Sequence, residues 1–158
     1  MIEVEGNIWE YRANAVCITT NCSIKSNKRA VMGAGVALQA REMFPDIDAV
    51  LGNIILSLGH GDSCGVYTIW ARRYEELLQS IFCFPTKYHW KDKSILGMIE
   101  RSAKCLVEIW ENRVHPYIIA LPRPGCGCGG LDWEKEVKPL LSDILISDDF
   151  VIVHKERE

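Results

Sequence analysis

Apolar and polar positions fall into short blocks along this chain, and the period changes from block to block. Met1 to Glu5 alternates as a short strand closed by the Gly6-Asn7 pair. Ala13 to Thr20 is apolar and β-branched on both faces, which suits a central strand covered by helices. From Val31 the pattern turns helical: Gly33 and Gly35 open it, Val36, Leu38, Met43 and Phe44 form an apolar face, and Pro45 ends it. Asp46 to Asn53 fits either a further helix or an irregular link. Ile54 to Leu58 is too short for a helix between its glycine-containing flanks, and Gly59-His60-Gly61-Asp62 reads as a hairpin turn feeding Val66 to Trp70. Arg72 to Leu78 is ambiguous.

Further on, Ile81 to Phe84 is a strand stopped by Pro85, and the polar run TKYHWKDKS follows as a loop. With Ser94 as N-cap, Ile95, Met98, Ile99, Cys105, Leu106 and Ile109 trace a long amphipathic helix to about Asn112. Tyr117 to Leu121 is a strand, Trp133 to Ile144 a helix kinked by Pro139, and Phe150 to His154 a last strand. Strands alternating with helices predict an α/β sandwich with helices on both sheet faces, in a single domain over residues 1–158.

One stretch breaks these periods. IIALPRPGCGCGGLDW, Ile118 to Trp133, runs from a strand through two prolines into a turn with Gly125, Gly127, Gly129 and Gly130, and then into a helix start. A bare turn between strand and helix points backbone N–H groups at an anion. The lysine and hydroxyl residue of a nucleotide P-loop are missing, and the dinucleotide fingerprint needs another register. A tight turn whose glycines only satisfy unusual dihedrals is the alternative. Gly33-Ala34-Gly35, at the mouth of a helix, is a second candidate anion cradle.

Composition alters this picture little. A net charge of −3 over 158 residues disfavours a broad nucleic-acid footprint, yet allows an enzyme that touches one modified base. Basic residues cluster in two loops, at Lys25, Lys28 and Arg29 and at Lys87, Lys91 and Lys93, where they could steer an anion or merely be solvated. Seven cysteines leave at least one unpaired. Cys126-Gly-Cys128 lacks the gap of a zinc knuckle, so no metal is expected, and a reducing cytoplasm is. MIEVEGNIWEYR does not read as a secretory signal, and no apolar run approaches the roughly 20 residues of a membrane span.

Among single residues, Lys87 stands out, two positions beyond Pro85 at a strand end and beside Tyr88, His89 and Trp90. Its ammonium could hold a phosphate, stabilise negative charge or act as an amine nucleophile. His89 is read as a structural hydrogen-bonder before an acid–base group. Asp132 is a helix cap or a ligand and catalytic group, and Asn21 a ribose donor or the cap of its own turn. Trp133 belongs to the core, whereas Tyr88 and Trp90 suit stacking on a base or ribose. No serine or cysteine has a base at readable spacing, so a nucleophilic triad is not expected.

GNIWEYRANAVCITTNC, VMGAGVALQAREMFP, FPTKYHWKDKSIL and LPRPGCGCGGLDW together make the chain resemble the macrodomains. The likeness is to the branch holding the DNA ADP-ribosyl glycohydrolase antitoxins and a hydrolase that frees ADP-ribose from acidic side chains. It implies a three-layer α/β/α sandwich with a mixed central sheet and a cleft for ADP-ribose, which would be ligand or product with no cofactor. Asn7 and Ile8 would lie near the adenine, Thr20 and Asn21 at the distal ribose, and Met32, Gly33, Ala34, Gly35 and Val36 along one side of the diphosphate. Pro124, Gly125, Cys126, Gly127, Cys128, Gly129 and Gly130 would cradle its other side. Lys87 matches the branch's catalytic lysine, with Asp132 as a second catalytic candidate because Gly129 stands where the relative acting on acidic side chains has its aspartate. The loop from Ser23 to Ala30 is longer than usual in this branch.

The resemblance implies an ADP-ribosyl glycohydrolase working on ADP-ribosylated DNA or protein. An ADP-ribose 1″-phosphate phosphatase, with a small ADP-ribose derivative as substrate, and a non-catalytic ADP-ribose reader are the alternatives. A monomer with no membrane partner is expected.

Overall fold

A computed structural model describes residues 1–58 and 65–155. Six strands form one sheet: β1 (Ile2–Glu5), β2 (Ala15–Thr20), β3 (Tyr67–Tyr74), β4 (Leu77–Pro85), β5 (Ile119–Leu121) and β6 (Phe150–His154). Their order is β1-β6-β5-β2-β4-β3, with every pair parallel except β3 against β4, so the sheet is mixed. The helices are α1 (Gly35–Met43), α2 (Ile47–Leu58), α3 (Leu96–Glu111) and α4 (Lys138–Ile144). A 3-10 turn spans Ile8–Glu10 and a π turn, Trp133–Val137, leads into α4.

The doubly apolar reading of β2 explains the layers. Val16 and Ile18 pack with Ala37 and Ala40 of α1 and Leu51 and Ile55 of α2. Ala15 and Cys17 face the other way, into Ile99, Ala103 and Leu106 of α3, Val137 of the π turn and Leu141 of α4. Successive strand residues alternate between faces, so one strand serves two cores, and the result is a three-layer α/β/α sandwich.

Several expectations change on contact with the fold. Ile54 to Leu58 belongs to α2, and Gly52 does not interrupt that helix. A side chain there would collide with the Lys28 carbonyl and crowd Arg29 and Ala30, so the glycine lets the preceding loop lie against the helix. That loop is itself ordered: Ile24 bridges Ala30, and Arg29 pairs with Asp46 at 2.9 Å and with the buried Asp48 at 2.7 Å. Arg29 is therefore a clamp between loop and helix. The buried face of α1 is Ala37 and Ala40, with Phe44 just beyond, while Met43 is exposed.

Ser94 does not cap α3, whose N-cap is Ile95 without a side-chain bond. Pro139 sits in the first turn of α4, where its missing N–H costs little, and the π turn precedes it. Arg72 to Leu78 is the β3–β4 hairpin, and the turn expected at Gly59 to Asp62 lies outside the described residues.

Candidate functional site

The loop after β2 leads to α1 on one face, and the loop after β5 leads to α4 on the other. Neighbouring parallel strands whose exits diverge leave a crevice at their carboxyl ends, which is where ligands bind in open α/β sheets. Here the crevice is a groove in two compartments. One, of about 680 Å³, is lined by Thr20, Asn21, Met32 to Ala37, Lys87, Trp90, Gly125 and Gly127 to Gly129, among others. The other, of about 460 Å³, is lined by Asn7, Ile8, Gln39, Cys126, Asp132 and His154, among others. Gly35, Val36, Pro122, Arg123 and Gly127 border both.

Lys87 reaches the crevice because Thr86 prolongs the pairing of β4 with β2, its N–H bonding the Thr20 carbonyl at 3.0 Å. The lysine is buried, and its Nζ donates to the Asp92 carbonyl at 3.1 Å. Among the described residues no carboxylate lies within ion-pair distance, so this is a cation with donor capacity left over.

Ser94, read from sequence as a cap, instead ties the lysine segment to the glycine turn. Its N–H donates to the Gly129 carbonyl at 2.9 Å, its Oγ lies 3.4 Å from Thr86 Oγ1, and the next N–H, of Ile95, holds the Thr86 carbonyl at 2.8 Å. The turn closes on itself through Leu131 N–H to the Gly125 carbonyl, 2.9 Å, and Gly130 N–H to the Gly127 carbonyl, 3.1 Å. Among the described residues the N–H groups of Gly127, Cys128 and Gly129 donate to no protein acceptor. Opposite them, α1 starts without a side-chain cap, at Gly35 with a φ of 56°. Unspent N–H groups on one wall and an uncapped helix start on the other form an anion-binding geometry.

Of the other residues singled out, Asn21 does cap its own turn. Its Oδ1 accepts from the Ser23 N–H at 2.9 Å and its Nδ2 donates to the Val31 carbonyl at 3.1 Å, while the residue still borders the Lys87 compartment. Asp132 is the cap of the π turn: Oδ1 accepts from the Lys135 N–H at 2.8 Å, and Glu136 accepts from the Asp132 N–H at 2.7 Å. It borders the other compartment from Lys87, beyond the residues that line both. Asn7 caps the 3-10 turn by accepting from the Trp9 N–H at 3.0 Å, and with Ile8 it walls the compartment of Asp132. Trp133 is core, its Nε1 donating to Glu3 at 2.8 Å. Burial pushes the Cys126 thiol up to about 11, outweighing the pull of Arg123, so at neutral pH it is a protonated wall rather than a nucleophile.

The chain matches no family model. Among solved structures, the macrodomain of Thermus aquaticus DarG is 32% identical, with a TM-score of 0.72 over 99% of this chain and 97% of that one. The chain belongs to the macrodomain family. A second solved structure, Thermosipho africanus DarTG in complex with ADP-ribose, is 26% identical with a TM-score of 0.77 and covers 98% of this chain and 42% of that one. The curated DNA ADP-ribosyl glycohydrolase of Thermus aquaticus is 36% identical over 144 residues, 90% of this macrodomain but 37% of the relative. A DNA ADP-ribosyl transferase–DNA ADP-ribosyl glycohydrolase fusion protein of Thermosipho africanus is 29% identical over 143 residues, 82% of this chain and 35% of that protein. This macrodomain thus spans little more than a third of the curated relatives it matches.

Arg123 is the groove residue that sequence reading missed. It borders both compartments of the macrodomain, lies over the Trp133 ring at 5.3 Å, sits 3.5 Å from Glu3, and keeps a buried Nε without a hydrogen-bond partner among the described residues. As the basic side chain between the two prolines of that stretch it was visible, but nothing in the sequence said that it reaches Trp133 and Glu3.

Proposed function

We propose that this macrodomain is an ADP-ribosyl glycohydrolase, which lays ADP-ribose along the groove and releases it from a modified DNA base or acidic protein side chain. The carrying observation is Lys87: a buried ammonium without a paired acid, in the same compartment as the Gly127 to Gly129 N–H groups. A reader of ADP-ribose needs the glycine walls alone, and a buried unpaired cation is costly unless something uses it.

In this reading the adenosine lies toward Asn7 and Ile8, and the diphosphate between the α1 start and the glycine turn. The distal ribose then lies beside Lys87. The bond from the anomeric carbon to the base nitrogen or carboxylate oxygen breaks, the leaving atom keeps the electron pair, and Lys87 donates a hydrogen bond to the charge that develops there. Water supplies the hydroxyl at the anomeric carbon and the proton for the leaving group. The fixed diphosphate lies close to the oxocarbenium that forms, so its charge favours that transition state. Asp132 contributes by holding the π turn.

The test is release of ADP-ribose from thymidine-modified DNA, glutamate-modified protein and ADP-ribose 1″-phosphate, with wild type and Lys87→Ala. The expected result is turnover of a macromolecular substrate that falls by about 10²–10⁴-fold in the variant, with ADP-ribose affinity within a few-fold. Joint loss of affinity and turnover would make Lys87 a phosphate anchor. Turnover of the 1″-phosphate alone would make the protein a phosphatase.

A further inference from the structure

The segment that carries Lys87 also holds an indole half in water. Trp90 is 48% exposed and borders the Lys87 compartment. Its backbone is pinned: the Trp90 N–H donates to Ser23 Oγ at 3.1 Å, the Cys22 N–H to the Tyr88 carbonyl at 2.9 Å, and the Asp92 N–H to the His89 carbonyl at 3.0 Å. The exposed His89 ring lies 6.0 Å from that of Trp90 and within 24° of parallel. His89 Nδ1 accepts from the Lys91 N–H at 3.2 Å, so in the neutral ring the proton sits on Nε2. Lys91 Nζ stands 5.2 Å from the centre of the Trp90 ring, and Lys91 and Lys93 are exposed.

We infer that this rim is an outer subsite for a nucleobase, the neighbour of the ADP-ribosylated one on a single strand. That base extends the Trp90–His89 stack, and Lys91 and Lys93 take the adjoining phosphates. The inference rests on the glycohydrolase reading and adds a contact beyond the modified nucleotide. Flat faces combined with cations are how proteins hold single-stranded nucleic acid, because every base has a face to stack, whereas in a duplex both faces are covered. Charge favours the same occupant: three lysines against one aspartate between Thr86 and Ser94 reverse the sign of a chain whose net charge is −3. An acidic peptide would use the lysines and leave the rings uncovered.

Affinity and turnover are measured for two ADP-ribosylated single-stranded oligonucleotides, one intact and one with abasic sites flanking the modified nucleotide, which keeps the phosphates and removes the rings. Wild type is expected to favour the intact strand by about tenfold, Trp90→Phe to keep most of that preference, and Trp90→Ala to reduce it below about twofold. The ratio is taken within each variant, so general damage to the fold cancels. A wild-type ratio near one, an unchanged ratio in Trp90→Ala, or equal affinity for a glutamate-modified peptide would overturn the subsite. If the intact strand is preferred but no ADP-ribose is released, the hydrolase reading falls and the subsite stands; release without the preference does the reverse.

Discussion

At Gly33 and Gly127 an added side chain would enter open space over the groove, whereas at Gly125 and Gly129 it would run into Ser94, Ile99, Leu131 or the turn's own backbone. All four belong to the glycine-rich walls, yet the first pair leaves room for something outside the protein and the second for something inside it. Glycine content alone therefore overstates a binding loop. Half of these residues let the turn settle on Ser94, and only the settled turn presents its N–H groups to the groove.

Substitutions can separate the two uses. Gly129→Ala drives a methyl group into Ser94 Oγ and the Gly125 carbonyl, and is expected to destabilise the fold by about 1–3 kcal/mol, read from the urea midpoint. An unchanged midpoint would erase the distinction between the pairs. The Cβ of Gly127→Val meets nothing within 4 Å among the described residues, so the midpoint should hold while ADP-ribose affinity falls by about tenfold in calorimetry, because the isopropyl group fills the ligand's space.

Ser94→Ala keeps the backbone bond to Gly129 and loses only the 3.4 Å contact with Thr86, so its cost should stay near 1 kcal/mol in the same urea measurement. The smallest effect belongs to pH. Burial raises the Glu3 pKa, but bonds from Lys138 and Trp133 and the charges of Lys138 and Arg123 outweigh it and leave a net lowering. A lowered carboxylate pKa adds stability above its unfolded value and loses it as pH falls through the folded value. Glu3→Gln should therefore flatten the acid limb of the stability profile below about pH 4.5, leaving a residual slope from the other carboxylates.

Much of this was legible in the residues. β2, β4 and β5 announce themselves because buried parallel strands need uninterrupted apolar runs, and Pro85 and Pro122 mark where two of them stop. Lys87 followed from Pro85 by counting. What stayed hidden depends on partners distant in sequence. Gly52 looked like a break because nothing local reveals the loop that presses on it, and Ser94 looked like a cap because its bonds go to Thr86 and Gly129. Asp132 could be read either way, since a cap and a ligand ask for the same carboxylate, and in the structure it caps the π turn while bordering the groove.

Ser94 and Ile95, at the entrance of α3, hold Gly129 on one side and Thr86 on the other. The spacing between the lysine's backbone and the glycine turn is thus gauged by the end of a rigid rod rather than by the loop that joins them. Side chains at residues 88–93 can change without detuning that spacing, so long as the backbone keeps the Asp92 carbonyl on the Lys87 ammonium. Evolution is left a replaceable fitting at the mouth of the groove, free to be exchanged for another substrate while the chemistry behind it keeps its alignment.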